Sequence, residues 1–242
     1  RCGSVGSVAS ALIEKPPRGN WLPLVDCGFD LQYAPLLEYR EGAGRIVFCQ
    51  LDVTARSEAD PVADRICLNL LRYTSTHRAA APEGTVMYVG DAKGRDLLND
   101  LGVAYEPGIG SPDRQACIVV GPSAPDLPGV RRRVVAGRVA IGLGLSGEEV
   151  SVLAGEAGQA EDGMAYSVPA ENLGHPLLAG ISNADLHWRT QMAISTFTGA
   201  SGVGNTALRV IPVGQGHVVL CQAVPWMVDT TAKPYTRTTY RR

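Results

Sequence analysis

Residues 44–53 read GRIVFCQLDV, and residues 216–225 read GHVVLCQAVP. Gly44, Val47, Cys49 and Gln50 recur as Gly216, Val219, Cys221 and Gln222, each 172 positions on. A mostly apolar run of six residues ending in Cys-Gln has the length of one buried β-strand. Written twice at one offset, it is read as an equivalent strand in two copies of a unit of about 170 residues. The layout of the chain follows from that spacing.

Outward from the first copy, residues 5–53 form short apolar segments broken by Gly and Pro. Val8–Ile13, Trp21–Asp26, Pro35–Tyr39 and Arg45–Leu51 are expected strands. Asp60-Pro61 then signals a helix: Asp is a good N-cap and Pro suits the first helical position. Val62, Ile66 and Leu70, with Leu71, are taken as its apolar stripe, fading near Thr74. Ser75–Gly84, with Ala79-Ala80-Ala81-Pro82, reads as a linker.

From residue 85 the rhythm changes. Strands are expected at Thr85–Val89, Cys117–Val120 and Arg138–Leu143, and helices at Lys93–Leu101, Pro128–Ala136 and Gly147–Leu153. Continuous apolar strands alternating with helices predict a doubly wound, mostly parallel α/β sheet covered on both faces. Beyond residue 160 the chain is rich in Pro and Gly, closing in a hairpin of Ala207–Pro212 and His217–Ala223 around Val213–Gly216.

The expected organisation is therefore residues 1–76 as the C-terminal part of a first copy, 77–84 as linker, and 85–242 as a second α/β domain with an antiparallel β-rich extension, lacking its last helix. On that layout the chain is a fragment opening inside its first domain at Arg1, with any targeting signal outside it. The shortened first sheet is expected to leave an unpaired edge and an exposed apolar face, favouring self-association.

Composition narrows the function classes. A net charge of −2 over 242 residues gives no electrostatic case for nucleic acid. Arg131-Arg132-Arg133 is taken as a solvated helix face. No apolar run approaches the roughly 18 residues of a membrane span. The six cysteines show no CxxC and no zinc-like Cys/His spacing, so neither a metal nor another cofactor is expected.

Three chemistries have candidate residues. Gly142-Leu-Gly144-Leu-Ser-Gly147 matches the dinucleotide pattern GxGxxG, but it follows the third strand rather than the first. Glu161 and Asp162, where the ribose-binding acid would fall, are read as loop. Cys49 and Cys221 would be nucleophiles only on a glycine-flanked elbow, and VFCQLD and VLCQAV lack those glycines; both are read as packed structural thiols. Gln50 and Gln222 are expected to cap backbone groups at the strand ends. Asp26, Asp30 and Glu38 could supply a glycosidase carboxylate pair, although Asp more often caps turns. Trp21, Phe29, Tyr33, Tyr39, Trp188 and Trp226 could stack on sugars or fill a core. His77, His175, His187 and His217 are too scattered to assemble a Ser/His/Asp triad by spacing.

GNWLPLVDCGFDLQYAPLLEYREGAGRIVFCQLDVTARSEADP (19–61), HPLLAGISNADLHWR, VVLCQAVPWMVD and TRTTYRR resemble the tandem glutamine-amidotransferase-like, flavodoxin-type domains of large bacterial proteins related to β-galactosidases. The resemblance covers most of the chain. It implies a flavodoxin-like α/β module beside a sugar-cleaving region, with neighbouring domains, a second copy or carbohydrate as contacts. Glutamine amidotransferases carry a cysteine on a glycine-flanked elbow and a His-x-Glu pair. Here the matching turn reads Val119-Val120-Gly121-Pro122, Cys117 lies at the strand's start, and His-x-Glu is absent. The expectation is a non-catalytic accessory module. The alternatives are a glycosidase or cysteine hydrolase in its own right, or a nucleotide-binding domain.

Overall fold

The computed structural model describes residues 8–16, 19–28, 32–41, 44–76, 84–110, 115–155, 159–168, 174–179, 181, 183, 186–198, 203–204 and 207–227. The chain divides into two compact units, Arg1–Ala81 (with Arg241–Arg242) and Pro82–Tyr240. The division falls within 77–84, of which 77–83 lie outside the described residues.

The first unit holds β1 (Ile13–Glu14), β2 (Trp21–Cys27), β3 (Tyr33–Glu41), β4 (Gly44–Cys49) and helix α1 (Pro61–Thr76). Its sheet is antiparallel: β3 is the central strand, with β2 along one side and β1 and β4 along the other. Residues 8–12, expected as strand, contribute only a single bridge, Ala9 to Leu51. Asp60 caps α1 as expected, accepting a hydrogen bond from the Val62 N–H at 2.9 Å. The covered face of α1 is rotated from the predicted stripe. Ala63 is buried and Ile66, Cys67, Leu70 and Tyr73 are half-buried, whereas Val62 and Leu71 are exposed. Residues 63, 66, 67, 70 and 73 keep strict i, i+3, i+4 spacing, which the 62–66–70–71 series does not.

The second unit is mixed α/β with a mostly parallel sheet. It runs β5 (Thr85–Val89), α2 (Ala92–Asp100), β6 (Tyr105–Pro107), β7 (Gln115–Val120), α3 (Leu127–Val135), β8 (Val139–Leu143) and α4 (Gly147–Ala154). Then come β9 (Gln159–Ser167), β10 (His187–Thr198), β11 (Val203–Gly204), β12 (Leu208–Val213) and β13 (Gly216–Cys221). The seven-stranded sheet has the order β11-β12-β13-β8-β7-β5-β6. The five strands from β13 to β6 run parallel, and β12 and β11 add an antiparallel edge.

Helices α3 and α4 cover one face, burying Val130, Val134, Val150 and Leu153 against Ile118, Val120, Val218 and Leu220. On the other face Leu98 of α2 packs with Tyr88 and Val119. The rest of that face is covered by the antiparallel pair β9–β10 instead of a helix: Trp188, Met192 and Ile194 meet Leu208, Val210 and Val219. This pair belongs to the antiparallel β-rich extension expected beyond residue 160, whose strands were given no bounds. Glu161 and Asp162, read as loop, lie on β9 opposite Thr196 and Ser195.

The two quoted stretches each form the second strand of a hairpin, in matching register. β3 and β4 pair from Leu36↔Cys49 to Glu41↔Gly44, and β12 and β13 from Leu208↔Cys221 to Val213↔Gly216. Each pair of the second set is the first advanced by 172. The Gln50 N–H donates to the Pro35 carbonyl at 2.7 Å, and the Gln222 N–H to the Ala207 carbonyl at 2.7 Å. The two hairpins stand in different sheets.

Candidate functional site

From β5 the chain first adds β6 on one side and then crosses to add β7 on the other. At such a reversal the loops leaving the carboxyl ends diverge, which is where open α/β sheets bind ligands. The lining here is Gly90-Asp91, Gly121–Ser123 and, one strand further, Gly144–Glu149.

The turns are stitched together. Asp91 N–H donates to the Pro122 carbonyl at 2.9 Å and Gly121 N–H to Val89 at 2.8 Å, while the Asp91 carboxylate caps α2 through Lys93 N–H at 2.9 Å. Beneath them lies the Tyr88 ring. Burial, with the charge of Asp91 adding to it, pushes the Tyr88 hydroxyl up to about 12. It therefore stays protonated and donates to the Asp91 carbonyl at 2.7 Å. A Cβ at Gly90, Gly94 or Gly121 would stand 2.6, 2.4 or 2.3 Å from that hydroxyl, so these glycines make room for a tyrosine, not for a ligand.

Ser123 has φ +57, a left-handed backbone that serine rarely adopts. Its N–H donates to Glu149 Oε1 at 2.6 Å, while Glu149 Oε2 accepts from Ser146 N–H at 2.8 Å. Ser146 Oγ accepts from Glu149 N–H at 3.3 Å, completing a capping box on α4. One carboxylate thus occupies two backbone donors, in the turns that follow β7 and β8. Neither Ser123 nor Glu149 was singled out from the sequence. The Ser-x-x-Glu spacing carried half of the signal, and the left-handed turn at Ser123 left none.

The glycines of the GxGxxG stretch are filled from within. Leu145 is buried; a Cβ on Gly142 would lie 2.7 Å from its side chain, and one on Gly144 would lie 2.9 Å from Trp226. Gly147 is the first residue of α4. The loop is also held by Gln222, whose Nε2 donates to the Leu145 carbonyl at 2.8 Å. That is the capping role expected for this glutamine.

The other predicted residues stand apart. Asp26 is exposed on β2 and pairs with the buried Lys15 at 2.7 Å. Asp30 lies outside the described residues. Glu38 is fully buried and takes hydrogen bonds from Arg40 at 2.8 Å, Arg45 at 3.0 Å and the Tyr73 hydroxyl at 2.6 Å. Arg45 lies over the Tyr73 ring, 5.1 Å from its centre. Asp26 and Glu38 therefore answer to different cations. The arginine run is less free than expected: Arg131 donates to the Leu153 carbonyl and Arg133 to Gly110.

Cys49 and Cys221 each end the second strand of a hairpin, and each thiol leans toward the carbonyl two residues on, Leu51 and Ala223. Burial raises the Cys221 thiol, only partly offset by the Ala223 contact. Alkylation of Cys221 by iodoacetamide at neutral pH should be at least about tenfold slower in the folded protein than in urea. Equal rates, followed by peptide mass analysis, would mark it as a reactive thiolate.

Among the described residues no group of three or more His, Cys, Asp or Glu could hold a metal, and no helix is long and apolar enough to cross a membrane. No protein-family model and no curated protein matches the chain.

Proposed function

We propose that this chain is a non-catalytic α/β module of a large bacterial carbohydrate-active protein, made of two related units and serving domain packing. The strand order β6-β5-β7-β8-β13 supports a flavodoxin-like second unit, since it corresponds to the 2-1-3-4-5 sequence of that fold. The matching register of the two hairpins supports reading the first unit as the end of another copy. The sugar-related context rests on the resemblance of 19–61 and the C-terminal strings.

The observation that carries the absence of chemistry is the Glu149 carboxylate. It holds the Ser123 and Ser146 N–H groups, which in a working site would be left for a substrate or an oxyanion. The turn after β7 offers Ser123 but neither a cysteine nor a histidine base within its sequence. The purified protein should turn over neither aryl-glycosides nor glutamine. Turnover abolished by Asp26→Asn, Asp30→Asn or Cys221→Ser would replace this reading with an enzyme.

A further inference from the structure

The second hairpin shows what the first lacks. The outer edge of β13 pairs in parallel with β8, from His217↔Val139 to Cys221↔Leu143. The His217 N–H donates to Arg138 at 3.2 Å, and Cys221 accepts from Gly144 N–H at 2.9 Å. Above that edge Val218 and Leu220 are 0% and 2% exposed beneath α3 and α4. The Gln222 amide then holds the loop after β8. Strand, helices and loop together form one covering layer, residues 115–154.

Every receiving feature of that layer recurs on β4. Because the Gln50 N–H points to β3, the N–H groups of Arg45, Val47 and Cys49 alternate outward. Among the described residues no strand pairs with that side of β4. Ile46 and Phe48, the counterparts of Val218 and Leu220, are 50% and 37% exposed. Phe48 and Tyr39 both stack on Trp21, with ring centres 5.5 and 4.7 Å away, extending the apolar face across three strands. Gln50 occupies the register position of Gln222.

We propose that the β4 edge and its Ile46–Phe48 face seat a second α/β layer: one strand parallel to β4, two amphipathic helices over Ile46 and Phe48, and a loop carbonyl on the Gln50 amide. Carried back by the repeat, 115 − 172 and 154 − 172 give −57 and −18. The occupant is therefore a segment of the same polypeptide upstream of Arg1. A second copy of this chain fits less well. Its own β8, the strand that plays this part, is already paired on both sides, by β7 and β13, so it could not play the same part for the β4 of another copy. The inference rests on reading the hairpins as copies and is independent of whether the module catalyses anything.

The test is amide hydrogen exchange read by mass spectrometry, on residues 1–242 and on the full polypeptide its gene encodes. Peptides covering 44–50 should exchange at least ~100-fold more slowly in the full polypeptide, while those covering 216–222 stay unchanged. Ile46→Asp should remove the new protection in the full chain. In residues 1–242 the same variant should leave β3 exchange unaltered, which certifies that the unit still folds; if β3 does unravel, Ile46→Ala replaces it and should weaken the protection at least tenfold. Equal exchange in both proteins, protection indifferent to these substitutions, or a gene with nothing upstream would overturn the proposal. So would protection that arises in residues 1–242 alone as concentration rises, which would make the occupant a second copy. Glycosidase turnover, assayed separately, would sink the accessory reading and leave this one standing.

Discussion

Glu38→Gln should destabilise the first unit by about 3–5 kcal/mol, the range for removing one partner from a buried ion pair. Glu38 is fully buried, and the variant leaves the Arg45 guanidinium, itself 8% exposed, without a counter-charge. It also weakens the acceptor for the Tyr73 hydroxyl, which links α1 to the sheet. The loss is comparable to the whole stability of a small domain. Exchange of the β3 and β4 amides and urea titration would both report it. A change under about 1 kcal/mol would mean that the cluster is solvated. The second hairpin indicates the remedy, since Val210 takes Glu38's position there. Glu38→Val combined with Arg45→Met should recover most of the loss, because an apolar pair of similar volume needs no compensation.

The same cluster sets a pH dependence. Burial alone would raise the Glu38 carboxyl, but hydrogen bonds from Arg40 and Tyr73 and the charges of Arg45 and Arg40 outweigh it, and the pKa is lowered. As pH falls, the unfolded chain therefore takes up the proton first. The contribution is complete above the ordinary carboxylate value of about 4.3 and is lost as pH drops through the lower folded value. The stability gap between wild type and Glu38→Gln should stay constant from pH 6 to 8 and shrink below about pH 4.

Elements whose burial is uniform were legible in the sequence. β5, β7 and β8 are unbroken apolar runs ended by glycine, and their helices carry caps at Asp91, Asp126 and Ser146. The repeat marked the Cys-Gln strand of each hairpin, but only the second, around Val213–Gly216, reads as a hairpin; the pairing of β3 with β4 came from the structure. The antiparallel extension was expected without strand bounds; β9 and β10 were not delimited because a register shift between His187 and Met192 breaks the alternation that Met192 and Ile194 begin. β6 is three residues with a proline and leaves no period to detect. Glu38 was weighed as a possible acid; its spacing of two from Leu36 marks it as inward-facing, but only the fold brings Arg45 and Tyr73 to it. The Glu149 bridge has the same character, joining turns 26 residues apart.

Gly216 and Gly44 hold the same register position in two hairpins, and alanine should separate them sharply. A Cβ on Gly216 would stand 2.1 Å from the Arg138 carbonyl and 2.3 Å from that of Val134. Both are backbone atoms of the covering layer and cannot rotate away. Gly216→Ala must push α3 and the start of β8 off the hairpin, and a loss of more than about 3 kcal/mol in the second unit is expected. At Gly44 the nearest atom is the Glu41 carbonyl at 3.3 Å, within its own turn, and Gly44→Ala should change stability by under about 1 kcal/mol. Neither glycine needs a left-handed backbone, since neither has φ in that region. The asymmetry therefore measures the cover alone. Thermal unfolding of both variants in residues 1–242 tests it, and equal losses would show that the two hairpins carry equivalent cover. In a chain that supplies a layer over β4, Gly44→Ala should become as damaging as Gly216→Ala, because the same two carbonyls would then close on it.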